Sequence, residues 1–181
     1  MEAHSEIWAI LEGADLIVTP EEIDAALGRM ASAIAHRLGN ERPLVLSVMG
    51  GAVVFTGRLL PMLRFPLEFD FLHVTRYGAS TVGSTIQWLV RPRTSVAGRT
   101  VLVLDDILDE GITLAAIRDS LLADGAKDVL CAVFADKNTG RSKPVSAEFV
   151  GLPLPNRYVF GFGMDVRGAW RNLPAIYALK E

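Results

Sequence analysis

The sequence predicts an α/β fold with a mostly parallel central sheet flanked by helices. Two patterns carry that prediction. "RTVLVLD" and "DVLCAVFAD" are near-continuous apolar runs of the kind that form strands buried on both faces. Between them stands "TLAAIRDSLLADG", a helix-period segment with Gly125 past its end. Strand–helix–strand alternation points to parallel pairing. The chain has 181 residues, half of them hydrophobic and 22% charged, which fits one ordered domain over 1–181. The net charge of −3 leaves no basic footprint for nucleic acid or an anionic membrane.

The elements follow in chain order. "MEAHSEIWAILEGADL" lacks the basic start and apolar core of a secretory leader. No apolar run reaches the roughly 20 residues that span a bilayer. Cys131 stands alone in an apolar run, so it reads as a buried, inert thiol, and a cytoplasmic protein is expected. "TPEEIDAALGRMASAIAHRL" is a helix, with Thr19 as N-cap, Pro20 in its first turn and Glu22 closing a capping box. "PLVLSVMGG" is a strand running into glycine, and "AVVFTGRLLPML" a short helix disturbed by Pro61. "LEFDFLHVTRYG" and "TIQWLV" are strands joined by a small, polar loop, which makes a flap over about 76–88. "KNTGRSKPVSAEF" is a loop, and "RYVFGFGMD" a last strand ending at Asp165. The first helix, the flap and the tail read as additions to one core, with a small hood from about 1–18 and 150–181. His4, His36 and His73 form no cluster and lie near no motif.

The chemistry concentrates in "TVLVLDDILDEGITLAA". Asp105, Asp106, Asp109 and Glu110 follow an apolar strand, where like charges repel unless something positive meets them. Ligands of open parallel sheets sit beyond the carboxyl ends of the strands. Gly111 and Thr113 stand where the strand gives way to a helix, so converging backbone N–H groups and the helix dipole favour an anion there. Asp105 and Asp106 suit hydroxyls or a hard cation. A ligand with a phosphate at one end and vicinal hydroxyls at the other is a ribose 5-phosphate. An Asp pair alone is common as a helix cap, but the full string D-D-x-x-D-x-G-x-T between strand and helix is not. Neither a P-loop nor a dinucleotide fingerprint is present.

Residues 101–114 resemble the phosphoribosyl-diphosphate (PRPP) motif of type I phosphoribosyltransferases. From about 43 to 171 the chain is similar to their hypoxanthine-guanine branch, through "VMGG", "RYG", "ADKNTGRSKP" and "EFVGLPLPNRYVFGFGMD" with Arg171 after it. The resemblance implies purine salvage, with PRPP and hypoxanthine or guanine giving the nucleotide and pyrophosphate, and with Mg²⁺ required. It implies that Asp105 and Asp106 hold the ribose hydroxyls directly or through Mg²⁺, and that Asp109 takes the proton from purine N7. Residues Asp109, Glu110, Gly111, Ile112 and Thr113 would cradle the 5-phosphate. Met49 and Gly50 would touch pyrophosphate from a loop that in the family often carries a cis peptide, and Arg171 would grip it. Lys137 would donate to the purine 6-oxygen, Tyr158 would stack on the base, and the Val159 backbone would read its edge. Asp165 would bind a second Mg²⁺. Arg76 and Tyr77 would open a lid. The family usually forms dimers or tetramers.

The chain departs from the family at Glu110, where a small hydroxyl residue is usual, and at Met49, where Lys is frequent. Two other readings stay open at this level. One is transfer to another base, xanthine or a pyrimidine. The other is a non-catalytic sensor of PRPP or nucleotide.

Overall fold

The computed structural model describes residues 2–76 and 86–180. Helix α1 (Glu2–Gly13) and strand β1 (Asp15–Val18) lead into helix α2 (Pro20–Leu38). Strand β2 (Leu44–Met49), helix α3 (Val53–Leu59), a short 3-10 turn (Leu60–Met62), and strands β3 (Glu68–Arg76) and β4 (Ile86–Val90) follow. Strand β5 (Thr100–Leu108), helix α4 (Ile112–Ala123) and strand β6 (Asp128–Lys137) come next, then β7 (Phe149–Leu154), β8 (Val159–Phe160) and β9 (Ile176–Ala178).

The main sheet has the order β4-β3-β2-β5-β6-β7. All neighbours in it are parallel except β3 and β4. The chain moves one way from β2 to β3 and the other way from β5 to β6. Right-handed crossovers in opposite directions place their helices on opposite faces. Accordingly Phe55 and Leu59 of α3 pack in one core layer, while Leu114, Ile117 and Leu121 of α4 pack in the other. Strand β5 serves both: Leu102 and Leu104 face the first layer, Val101 and Val103 the second. That is the reason its sequence shows no alternation.

Helix α2 carries the expected capping box. Thr19 Oγ1 accepts from Glu22 N, and Glu22 Oε2 accepts from Thr19 N at 2.8 Å. Such a cap is worth about 1 kcal/mol. The apolar face of α2, from Ile23 through Leu38, is buried with Phe134 and Phe149 in the first layer. This helix is therefore a wall of the core and not an addition to it. Phe134 is the centre of that layer, with ring centroids 5.6 Å from Phe55 and 4.5 Å from Phe162. Burying each such ring contributes about 1.5–3 kcal/mol.

Four further readings change. Strand β5 runs on to Leu108, so Asp105 and Asp106 lie inside the strand and not beyond it. "EFVGLPL", grouped with the hood from sequence, supplies β7 at the edge of the main sheet. The expected strand 157–165 shrinks to Val159–Phe160, which joins β1 and β9 in a separate three-stranded sheet. Its remainder turns sharply, because Gly161 (φ 96°), Phe162 (φ 49°) and Gly163 (φ 103°) all take left-handed backbone. The fourth concerns His73 and is taken up with the site. The β3–β4 pairing agrees with a hairpin-like flap, whose tip (77–85, with Tyr77) lies outside the described residues.

Candidate active site

The carboxyl ends of β2 and β5 lie side by side where the sheet's connections diverge. In open α/β sheets that divergence leaves a crevice for ligands. A cavity of about 410 Å³ sits there, lined by Met49–Gly51, His73, Asp105, Asp106, residues 109–113 and Arg171. A second lobe of about 240 Å³ shares Asp106, Asp109 and Arg171 with the first and adds Lys137, Tyr158, Val159, Met164 and Asp165. The residues that the motif set apart along the chain are thus brought to one two-lobed site. Of the expected residues, Arg76 ends β3 and Tyr77 falls outside the described residues.

Each functional side chain is held by its backbone. Asp105 Oδ1 accepts from Asp106 N at 3.0 Å, and Asp106 Oδ1 accepts from Ile107 N at 2.9 Å. Burial, then the neighbouring Asp106 charge, pushes the Asp105 carboxyl well above the ordinary carboxylate range. Burial also raises Asp106, against the pull of its hydrogen bonds and of Arg171. Two oxygen-rich groups that resist ionisation together form a place where a hard cation or a hydroxyl pair is welcome. Among the described residues no three His, Cys, Asp or Glu side chains converge as a metal cluster. Asp165 is instead tied to Arg171 Nη2 at 2.5 Å and to Gly168 N at 2.8 Å.

Gly111 caps α4 in left-handed backbone (φ 80°), which turns the chain so that the N-terminal end of α4 faces the cavity. The Met49–Gly50 peptide is cis, as the resemblance implied. Beneath that loop the Ser47 and Thr56 hydroxyls bond to each other at 2.8 Å, both buried, and join β2 to α3. The loop is also packed from outside. A Cβ at Gly51 would fall 1.9 Å from Asp106 Oδ2, and one at Gly163 would fall 2.0 Å from Gly51 O. The glycines of "VMGG" and "GFG" therefore allow three chain segments to meet at Asp106.

Lys137 Nζ donates to Asp109 Oδ2 at 2.8 Å across the junction of the two lobes. Tyr158 stands half-exposed at the mouth of the second lobe, its hydroxyl donating to Asp165 O at 3.2 Å. Arg171 Nη1 donates to Gly163 O at 2.7 Å, so its guanidinium is held by Gly163 O and Asp165 where it borders both lobes. Helix α1 supports this corner. The Trp8 and Trp170 rings meet edge-on at 4.8 Å, and Trp170 Nε1 donates to Ile7 O.

Sequence reasoning missed two functional-looking residues. His73 lines the first lobe, although in the sequence it lies near no motif. The parallel register pairs it with Met49, a relation between strands that no local pattern reveals. Lys143 is the other. Its half-buried ammonium donates to Leu108 O, Lys137 O and Asp136 Oδ1, so it locks the ends of β5 and β6 together. Glu110 is exposed, lining both the first lobe and an adjoining polar hollow with Thr139 and Arg141. Cys131 is buried as read, with its thiol pushed up to about 12 by burial.

Comparison with known proteins agrees with this geometry. The family model for the phosphoribosyl transferase domain matches residues 17–167. The hypoxanthine-guanine phosphoribosyltransferase of Bacillus subtilis (strain 168) is 33% identical over 166 residues, 91% of this chain and 92% of that one. Its counterpart in Streptococcus thermophilus is 32% identical over 92% of this chain and 93% of its own. Among solved structures, a hypoxanthine phosphoribosyltransferase of Staphylococcus aureus superposes with a TM-score of 0.88 at 25% identity, covering 95% of each chain. That of Trypanosoma cruzi, a mutant in a ternary substrates complex, gives 0.85 at 30% identity over 93% of this chain and 97% of that one.

Proposed function

The chain belongs to the phosphoribosyl transferase family, in its hypoxanthine-guanine branch, and from that premise we propose how its own residues perform purine salvage. The 5-phosphoribosyl group of PRPP passes to hypoxanthine or guanine, giving IMP or GMP and pyrophosphate. The observation that carries the assignment of roles is the two-lobed cavity with the Asp109–Lys137 pair at its junction. The first lobe takes PRPP, with residues 109–113 around the 5-phosphate and Met49, Gly50 and Arg171 around pyrophosphate. The second takes the purine, between Tyr158, the Val159 backbone and Lys137.

The chemistry follows from charge. Breaking the C1–pyrophosphate bond builds positive charge on the ribose, which the Asp105 and Asp106 carboxylates stabilise. Arg171 gathers the leaving group's negative charge. Asp109 accepts the N7 proton as the base attacks C1. Lys137 offers only donors, so it suits a 6-oxo group and opposes the 6-amino group of adenine. Burial disfavours charge on Asp105 and Asp106, a penalty that Mg²⁺, which takes carboxylate and substrate oxygens, would relieve when bound. The ion, when bound, neutralises pyrophosphate charge. Asp165 would hold a second ion.

An oligomer fits the surface. Phe69 of β3, Leu89 of β4 and Val53 of α3 are exposed large apolar side chains, of the kind that self-association buries. No described helix is long and apolar enough to cross a membrane. The substrates are small molecules, and the reading places the enzyme in the cytoplasm.

One assay tests the whole reading. The protein is supplied with PRPP, Mg²⁺ and, in turn, hypoxanthine, guanine, xanthine, adenine and uracil. Nucleotide from hypoxanthine or guanine and little from adenine is expected. Turnover of xanthine or uracil alone would redirect the assignment. No product from any base would favour a sensor.

A further inference from the structure

We propose that His73 is a further ligand for the leaving pyrophosphate, supplying the side-chain donor that Met49 lacks. The inference rests on the phosphoribosyl-transfer reading and goes beyond it, since neither the motif nor the resemblance assigns this residue a role.

Three observations carry it. First, the parallel register places His73 directly beside Met49, the first residue of the Met49–Gly50 loop. Strand β3 is paired on its other side by β4, so the position of His73 is fixed by two neighbours. Second, His73 lines the first lobe together with that loop and Arg171. Third, the charge inventory of the lobe is unbalanced. Asp105, Asp106, Asp109 and Glu110 line it against Arg171 as the one Lys or Arg among its described lining residues. Arg171 is itself engaged with Asp165 and Gly163 O. Lys137 lies in the other lobe, bonded to Asp109. Among the described residues the His73 ring has no hydrogen-bond partner, although imidazole carries a donor in either protonation state.

A ligand that brings two phosphates to this lobe needs donors on the loop side as well as on the Arg171 side. Met49 presents a thioether, a poor partner for phosphate. The imidazole one strand away is the side chain in register to make that contact. It would hold the pyrophosphate oxygens from the β3 side, in addition to Arg171.

The test uses the whole protein with Mg²⁺ and inorganic pyrophosphate as the probe. His73→Ala is expected to weaken pyrophosphate binding, read by calorimetry, and to raise KM for PRPP, each by about tenfold, the scale of a lost hydrogen bond to a charged group. KM for the purine and kcat should change far less. His73→Gln keeps a donor and should recover much of the loss. Independently of any variant folding, the His73 ring resonances of the wild-type protein should shift when pyrophosphate is added, while those of His36 stay in place. Unchanged pyrophosphate affinity in His73→Ala, or an unmoved His73 ring at saturating pyrophosphate, overturns the inference. So does an equal rise of KM for purine and PRPP in both variants, which is the mark of a merely structural residue. A wild-type protein that binds no pyrophosphate and turns over no base would instead overturn the underlying transferase reading.

Discussion

Asp109 and Lys137 hold each other across the mouth between the two lobes, Oδ2 to Nζ at 2.8 Å. The Lys137 side chain is 12% exposed and that of Asp109 45%. In the proposed reaction these same groups address two neighbouring atoms on one edge of the purine, N7 and the 6-oxygen. The ion pair therefore holds both side chains aimed into the site until a base takes its place.

Replacing Asp109 with Asn removes the proton acceptor and keeps the shape. The expected outcome is a fall in kcat of about 10²–10⁴-fold, with PRPP binding and the thermal midpoint largely retained. Steady-state kinetics beside PRPP titration measure both. Wild-type turnover in the variant would remove Asp109 from the mechanism.

Lys137 should govern the choice of base. Lys137→Ala is expected to lower kcat/KM for hypoxanthine by at least about tenfold while leaving the small adenine rate nearly unchanged. The ratio of the two rates is the diagnostic quantity. A parallel loss on both bases would mean that Lys137 acts only by holding Asp109.

Gly51→Ala should be severe. Its new Cβ would lie 1.9 Å from Asp106 Oδ2, so the carboxylate or the loop must move. Overpacking of this kind costs about 1–3 kcal/mol, visible in a chemical melt. A larger loss should appear in KM for PRPP. An alanine variant with native PRPP affinity would show that the Gly51–Asp106 contact has no role in binding.

The Asp105–Asp106 pair should leave a mark on stability against pH. Burial and mutual repulsion raise the folded-state Asp105 value above that in the unfolded chain. The folded protein then binds more protons than the unfolded one at intermediate pH. Its stability falls as pH climbs from the ordinary carboxylate range through the raised value. Asp105→Asn removes that loss, so its gain in melting temperature should be larger at about pH 8 than at about pH 4. The same variant should show less stabilisation by Mg²⁺ with PRPP. An equal effect at both pH values would place the pair in a less strained setting than the geometry indicates.

Lys143 offers a structural prediction. Its ammonium joins Leu108 O, Lys137 O and Asp136 Oδ1 in a poorly exposed corner. Lys143→Met removes that donor from Leu108 O, Lys137 O and the Asp136 carboxylate; Lys137 O keeps Thr139 N and Asp136 can turn to water, so the cost is about 1–3 kcal/mol in all. The midpoint of a denaturant melt should fall accordingly, and kcat should fall with it, because Lys137 follows the strand end that Lys143 anchors.

Much of this protein was legible in its sequence, for physical reasons that act over a few residues. The capping box at Thr19, the doubly buried runs of β5 and β6, and the D-D-x-x-D-x-G-x-T string are set by neighbours within one turn or one strand. The resemblance to the family also placed Lys137, Tyr158, Asp165 and Arg171 in one functional group. What the chain alone did not reveal depends on lateral register and on contacts between distant segments. His73 enters the site only because β2 and β3 pair in parallel with Met49 opposite it. The Gly163–Gly51–Asp106 stack needs three segments to close on one point. "RYVFGFGMD" looks like a strand because its residues are apolar, yet left-handed backbone at 161–163 bends it away after two strand residues. Local propensity selects the elements; the packing of one element against another, through register and the absence of side chains at glycine, decides which atoms face the substrate.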